Sequence, residues 1–273
     1  MAIGMLVVVA EVDRAQRMGR AEQRIVCKLP DGDSTEAEIV RQVLDQIELL
    51  QRTSHAQIHS DRTSFDDSVR HWRYATGTRV DEEPGDVLDE YEGRVAPALM
   101  EKMQIGLVEA ITNSLHHAYQ AGRLDNCREF RERRWWMFTH ELDGMLQVIV
   151  CDLGIGISRS LPMKWDRNIL KKIRNFFRFL PPDLASIKTA LVLGETSTEE
   201  TNRGKGMHQI WNALHESDVG GVVIMSGSSH LAYDAEEAET AEGNYDTSLL
   251  GTLISWKVSV SDAARESDGG NCD

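Results

Sequence analysis

The chain has 273 residues, 41% of them hydrophobic and 27% charged, with only 6 prolines. That is enough to bury one large domain or two small ones, and it excludes a disordered or collagen-like chain. Its 30 Lys and Arg against 44 Asp and Glu give a net charge of −14, which repels a phosphate backbone and sets nucleic acid aside as a partner unless basic residues cluster locally.

Cys27, Cys127, Cys151 and Cys272 are scattered, with no CxxC pair and no histidine at zinc-like spacing, and read as reduced thiols of a cytoplasmic protein. The apolar run at 1–10 lacks a basic leader and passes directly into Glu11 and Asp13, so neither a secretion signal nor a membrane span is expected. Residues 4–18 read as a helix, packed at one end and solvated at the Arg14, Arg17 and Arg20 end. Residues 24–29 (RIVCKL) form a short β-type run that Pro30, Asp31 and Gly32 terminate. Ser34 followed by Glu36 opens a second helix with Ile39, Val43, Ile47 and Leu50 on its apolar face. Residues 1–52 thus read as an incomplete α/β unit beginning inside an element, and the polar stretch 53–66 as a connector to a second unit over 67–260.

In that second unit, residues 69–76 read as a strand with Trp72 and Tyr74 on one face. A helical stretch follows Pro84 and runs to about residue 118, with Met103, Leu107, Ala110, Ile111, Ser114 and Ala118 as its buried stripe. Residues 146–151 (LQVIVC) are a short apolar strand, and two further strands lie at 221–225 and 252–258, flanking an acidic hairpin excursion around 234–246. Residues 261–273 form a polar tail.

Three local patterns could carry chemistry. Glu109 and Asn113 stand four apart on the 97–118 stretch and so project from one helix face, where a carboxylate beside an amide oxygen suits a hydrated hard cation and an oriented nucleophile. The same pair is also an ordinary polar stripe. Asp152-Leu153-Gly154-Ile155-Gly156 ends an apolar strand, where a buried carboxylate needs donors such as an exocyclic amine, and the glycines leave room for a ring; it equally fits a common turn. Arg203-Gly204-Lys205-Gly206 precedes a helical run whose free N–H groups suit phosphates, without Walker spacing, and a lone GKG is otherwise a flexible turn.

Taken in order, these patterns resemble the GHKL ATPase superfamily of gyrase B-type topoisomerases, Hsp90, MutL, sensor histidine kinases and anti-sigma serine kinases. The N box resembles 109–118, the G1 box 152–156 and the G2 box 204–206, and Gly251-Thr252 is similar to the family's last adenine-site pair. The resemblance implies an α/β chain of the α+β sandwich type, with a Bergerat-type mixed sheet covered by helices on one face. It implies ATP and Mg²⁺ as cofactors: Asn113 holding Mg²⁺, Glu109 as base, Asp152 accepting from adenine N6, and Thr252 supporting that contact. Gly154 and Gly156 would shape the adenine pocket, with Arg203, Gly204, Lys205 and Gly206 closing on phosphates. His117 matches a histidine common in the group's kinases, and His116 replaces a phosphate-contacting Lys or Arg. Residues 158–203 would be the ATP lid. Its basic, aromatic segment 164–179 reads as a helix whose Ile169, Ile173 and Phe176 cover the core, the alternative being contact with an acidic partner or a membrane surface.

No HExxTPL-like phosphoacceptor and no transducer segment is present, so the chain is most similar to the stand-alone anti-sigma-type kinases. Residues 1–52 resemble the later part of a STAS-like domain without its Asp-Ser-Ser-Gly turn. Two functions follow from the resemblance: a Mg²⁺-dependent ATPase or protein kinase in bacterial signalling, or an ATP-gated interaction module with little turnover. The partners implied are ATP, a signalling or regulatory protein, and a second copy of the chain as a homodimer.

Overall fold

A computed structural model describes residues 2–19, 25–32, 34–53, 66, 68–69, 72–80, 87–125, 132–196, 208, 211–212, 215 and 220–260. The architecture is α+β, built on an open seven-stranded sheet of order β1-β2-β3-β7-β4-β5-β6. The strands are β1 (Arg73–Gly77), β2 (Trp135–Leu142), β3 (Met145–Asp152), β4 (Gly221–Ser226), β5 (Ser229–Asp234), β6 (Glu239–Asn244) and β7 (Thr252–Ser259). All six pairings are antiparallel. The expected mixed sheet is therefore replaced by hairpins, and β7 is inserted between β3 and β4. Asp143 and Gly144, both at positive φ (53° and 71°), make the two-residue turn between β2 and β3.

Helices cover both faces of the sheet rather than one. The alternation along the central strands dictates this: Trp135, Met137, Leu146, Val148 and Val150 point to one side, and Trp136, Phe138, Ile149 and Cys151 to the other, all buried. Two apolar faces need two covers. On the first side lie α4 (Pro97–His117), α5 (Ile157–Lys164) and α7 (Pro182–Thr196), with α6 (Arg167–Phe176) beyond. The expected α4 stripe of Met103, Leu107, Ala110, Ile111 and Ser114 is buried as read, and Pro97 stands in the first turn, where its missing N–H removes an unpaired donor.

On the second side, α1 (Ala2–Met18) lays Leu6, Val9 and Ala10 against Trp136, Phe138 and Ile149. The helices α2 (Thr35–Gln46) and α3 (Leu49–Arg52) add Leu44, Ile47 and Leu50 to the same cluster, which Trp72 and Tyr74 complete as expected from their shared face. Ser34 caps α2, accepting from the Ala37 N–H at 3.2 Å. Residues 25–29 carry no strand, although their composition is β-like, because no neighbouring chain pairs with them among the described residues.

Candidate functional site

Two chain crossings bring the site together. Asp152 ends β3 directly opposite Thr252, which begins β7, in the antiparallel register. The loop after Asp152 is then fastened to the end of α4: the Ile155 N–H donates to the Ala118 carbonyl at 2.8 Å, and the Leu153 N–H to the Tyr119 hydroxyl at 3.2 Å. Glycine at 154 is needed for that approach, since a Cβ there would lie 2.2 Å from the Ala118 carbonyl oxygen. Gly154 thus makes room for a helix end. Gly156, at φ +73°, lines the pocket and turns the chain into α5, whose first N–H groups would otherwise be unpaired. One of them, Ile157 N–H, donates to Ser226 Oγ at 2.8 Å.

Between α4 and α5 lies a pocket with Asp152 and Thr252 at its floor. Asn113, Ser114 and His117 form the α4 wall, Ser160, Leu161 and Lys164 the α5 wall, and Val150 and Ile254 an apolar back. Its enclosed space is about 80 Å³, roughly half the ~150 Å³ that admits a benzene ring. A bicyclic base therefore enters only if α5 side chains at the mouth give way.

Asp152 is 4% exposed. Its Oδ1 accepts from the Gly154 N–H at 2.9 Å and the Thr252 N–H at 3.3 Å. Among the described residues its Oδ2 meets only Ser114 Oγ, at 3.4 Å. Ser114 has one hydroxyl proton, which Oδ2 shares with the closer Ala110 carbonyl at 2.9 Å. Oδ2 is left with acceptor capacity in a buried site, where a partner for it is worth most. Burial pushes the Asp152 carboxyl up to about 6, against the opposing N–H groups of Gly154 and Thr252 and the Ser114 hydroxyl.

The α4 wall carries the sequence-derived polar residues. Asn113 lines the pocket, and Glu109, half-buried one turn away, does not. Glu109 instead faces Lys164, whose ammonium is held below its ordinary value by lost hydration at the pocket mouth, with Glu109 opposing that shift. His117 lines the pocket and is lowered to about 4, first by burial and then by Lys164 and His116, so its ring is neutral at pH 7. His116 is exposed and turned from the pocket. Arg203, Gly204, Lys205 and Gly206 lie outside the described residues.

Sequence reading missed Ser114 as a polar contact of the site, together with Ser226, Tyr119 and Lys164. Ser114 was visible as the one hydroxyl in an otherwise apolar helix stripe; the others depend on contacts between distant segments. The segment expected to cover the core with Ile169, Ile173 and Phe176 does so only in part. Leu170 is its buried residue and Ile173 packs partly, whereas Ile169 is 45% and Phe176 84% exposed. No helix among the described residues is long and apolar enough to cross a membrane. The chain matches no protein-family model and no curated protein.

Proposed function

We propose that this pocket binds the adenine base of ATP, and that the chain is a GHKL-type, Mg²⁺-dependent ATPase or protein kinase of bacterial signalling. The observation that carries the reading is Asp152 Oδ2, a buried acceptor without a committed donor at the floor of a pocket. An exocyclic amino group is the donor it lacks. Guanine would present a carbonyl oxygen to the same carboxylate, acceptor against acceptor, so the site would discriminate against it. Thr252, beside Asp152 in the register, supports the base through its hydroxyl or a bridging water.

Magnesium would enter with the nucleotide. Among the described residues no group of three or more His, Cys, Asp or Glu side chains could hold a metal, and Asn113 offers one neutral oxygen at the pocket. That suits a cation that keeps several waters and takes its other oxygens from phosphates. When bound, it would neutralise charge on the transferring phosphoryl group. Glu109, a turn away on the same helix, would orient a water or a partner's hydroxyl and accept its proton. Lys164 would meet the polyphosphate at the mouth.

A second reading rests on the narrowness of the pocket. Seating a base would displace α5 side chains at the mouth, so nucleotide would report its presence through a changed surface there, with little turnover. Glu109→Ala separates the two readings. Catalysis predicts saturable ATP binding in parent and variant, with phosphate release or transfer in the parent alone. Binding without turnover in the parent favours gating, and a folded parent that binds no ATP contradicts both.

A further inference from the structure

Beyond the pocket, α6 and the turn after it present a surface that no contact among the described residues explains. Asp166 caps the helix, accepting from the Asn168 and Ile169 N–H groups at 2.8 and 3.3 Å. Ile169, Lys172 and Phe176 are spaced i, i+3 and i+7 and so form one stripe, with Phe179 a turn beyond. Phe176 and Phe179 are 84% and 85% exposed, and Met163, before the helix, is 50% exposed. Leaving two phenyl rings in water forfeits the burial that such side chains ordinarily obtain.

The charge around the stripe is the reverse of the chain's. Lys164, Arg167, Lys171, Lys172, Arg174 and Arg178 face the single carboxylate of Asp166 in this segment, in a chain of net charge −14. Among the described residues, Arg167, Lys171, Lys172 and Arg178 form no ion pair, and the Arg178 guanidinium lies over the Phe179 ring, 4.6 Å from its centroid. No carboxylate among the described residues pairs with these four cations.

We propose that α6 and the following turn dock the protein onto an anionic lipid bilayer, with Phe176 and Phe179 entering the headgroup–acyl boundary and the lysines and arginines facing lipid phosphates. Aromatic rings beside Lys and Arg on a helix are the chemistry of interfacial binding. The rings protrude rather than line a slot, and a fluid interface moulds itself to protruding rings without needing a complementary groove. The acidic remainder of the chain is repelled by the same membrane, which leaves this segment as the approaching face.

The test is sedimentation of the full chain with vesicles of phosphatidylcholine alone or mixed with phosphatidylglycerol. The proposal expects pelleting only with the anionic vesicles, weakening as salt is raised. It expects Phe176→Ser with Phe179→Ser to weaken partitioning about tenfold or more, and Lys171→Gln with Lys172→Gln by about fivefold for each lysine. Both pairs are surface substitutions, so unchanged unfolding curves show that loss of binding is not loss of fold. A folded parent that stays in solution with anionic vesicles at low salt overturns the proposal. So does vesicle binding that survives the Phe substitutions and is matched by polyglutamate, a result that would assign the surface to an acidic protein.

Discussion

Two of the buried aspartates, Asp13 and Asp152, are treated in opposite ways. Asp13, on α1, is 2% exposed and fully committed: Oδ1 accepts from Arg52 at 2.5 Å, and Oδ2 from Arg17 at 2.9 Å and from Trp136 Nε1 at 3.1 Å. Asp152, at 4% exposed, has two backbone donors on one oxygen, a serine shared with the Ala110 carbonyl on the other, and no paired cation among the described residues. Asp13 ties α1 and α3 to the sheet, closing the second face. Asp152 gives one oxygen to its own loop and leaves the other with acceptor capacity, the atom that the proposed nucleotide reading uses. Burial alone therefore does not separate the two carboxylates; unspent acceptor capacity does.

The largest expected effect breaks the structural member of the pair. Asp13→Ala leaves the Trp136 N–H without its acceptor and Arg17 and Arg52 with their outer partners Glu132 and Glu48, so the loss lies at the low end for a broken buried pair, about 3 kcal/mol. Urea unfolding measures it, and ATP affinity in the variant that remains folded should match the parent's.

Asp152→Asn should do the reverse. Burial pushes the native carboxyl up to about 6 from the ordinary 3.8, so the folded state should hold its proton more tightly than the unfolded chain does. Its stability contribution is full below about 4 and is lost as pH rises toward 6, amounting to about 3 kcal/mol. The neutral amide has no such window. Unfolding curves at pH 4 and pH 7 should show the parent losing stability relative to Asp152→Asn as pH rises; a constant difference would mean that the carboxyl is not strained by burial.

How much of this was legible in the sequence follows from how local each signal is. The Glu109/Asn113 spacing, the strand ending in Asp152 and the Gly251-Thr252 pair are short-range features, and the fold sets Asn113, Asp152 and Thr252 around one pocket. The second helical cover was not legible, because α1 and α2 look from composition like the beginning of another α/β unit. Strand β2 was missed for a related reason: Trp135 to Phe138 is apolar at every position, which erases the period-two alternation of a half-buried strand. The β-like run at 25–29 erred in the other direction, since propensity without a pairing partner does not make a strand. Phe176 was assigned to the core by spacing alone, and spacing cannot tell which half of a wide apolar arc meets a neighbour.

The smallest expected effect lies at the pocket mouth. Lys164→Gln should weaken ATP about fivefold, as loss of a solvent-accessible charge contact does, and leave adenosine unchanged; equal losses for both ligands would place the lysine at the base rather than the phosphates.

The most direct measurement is calorimetric titration of ATP, with GTP alongside, into the parent and into Asp152→Asn. The variant's single carboxamide oxygen is claimed by the Gly154 and Thr252 N–H groups, which turns its NH₂ into the pocket as a donor facing the donor of adenine. The account predicts saturable ATP binding by the parent, none of comparable strength for GTP, and loss of ATP binding in a variant that is folded. Equal ATP affinity in parent and variant would contradict it.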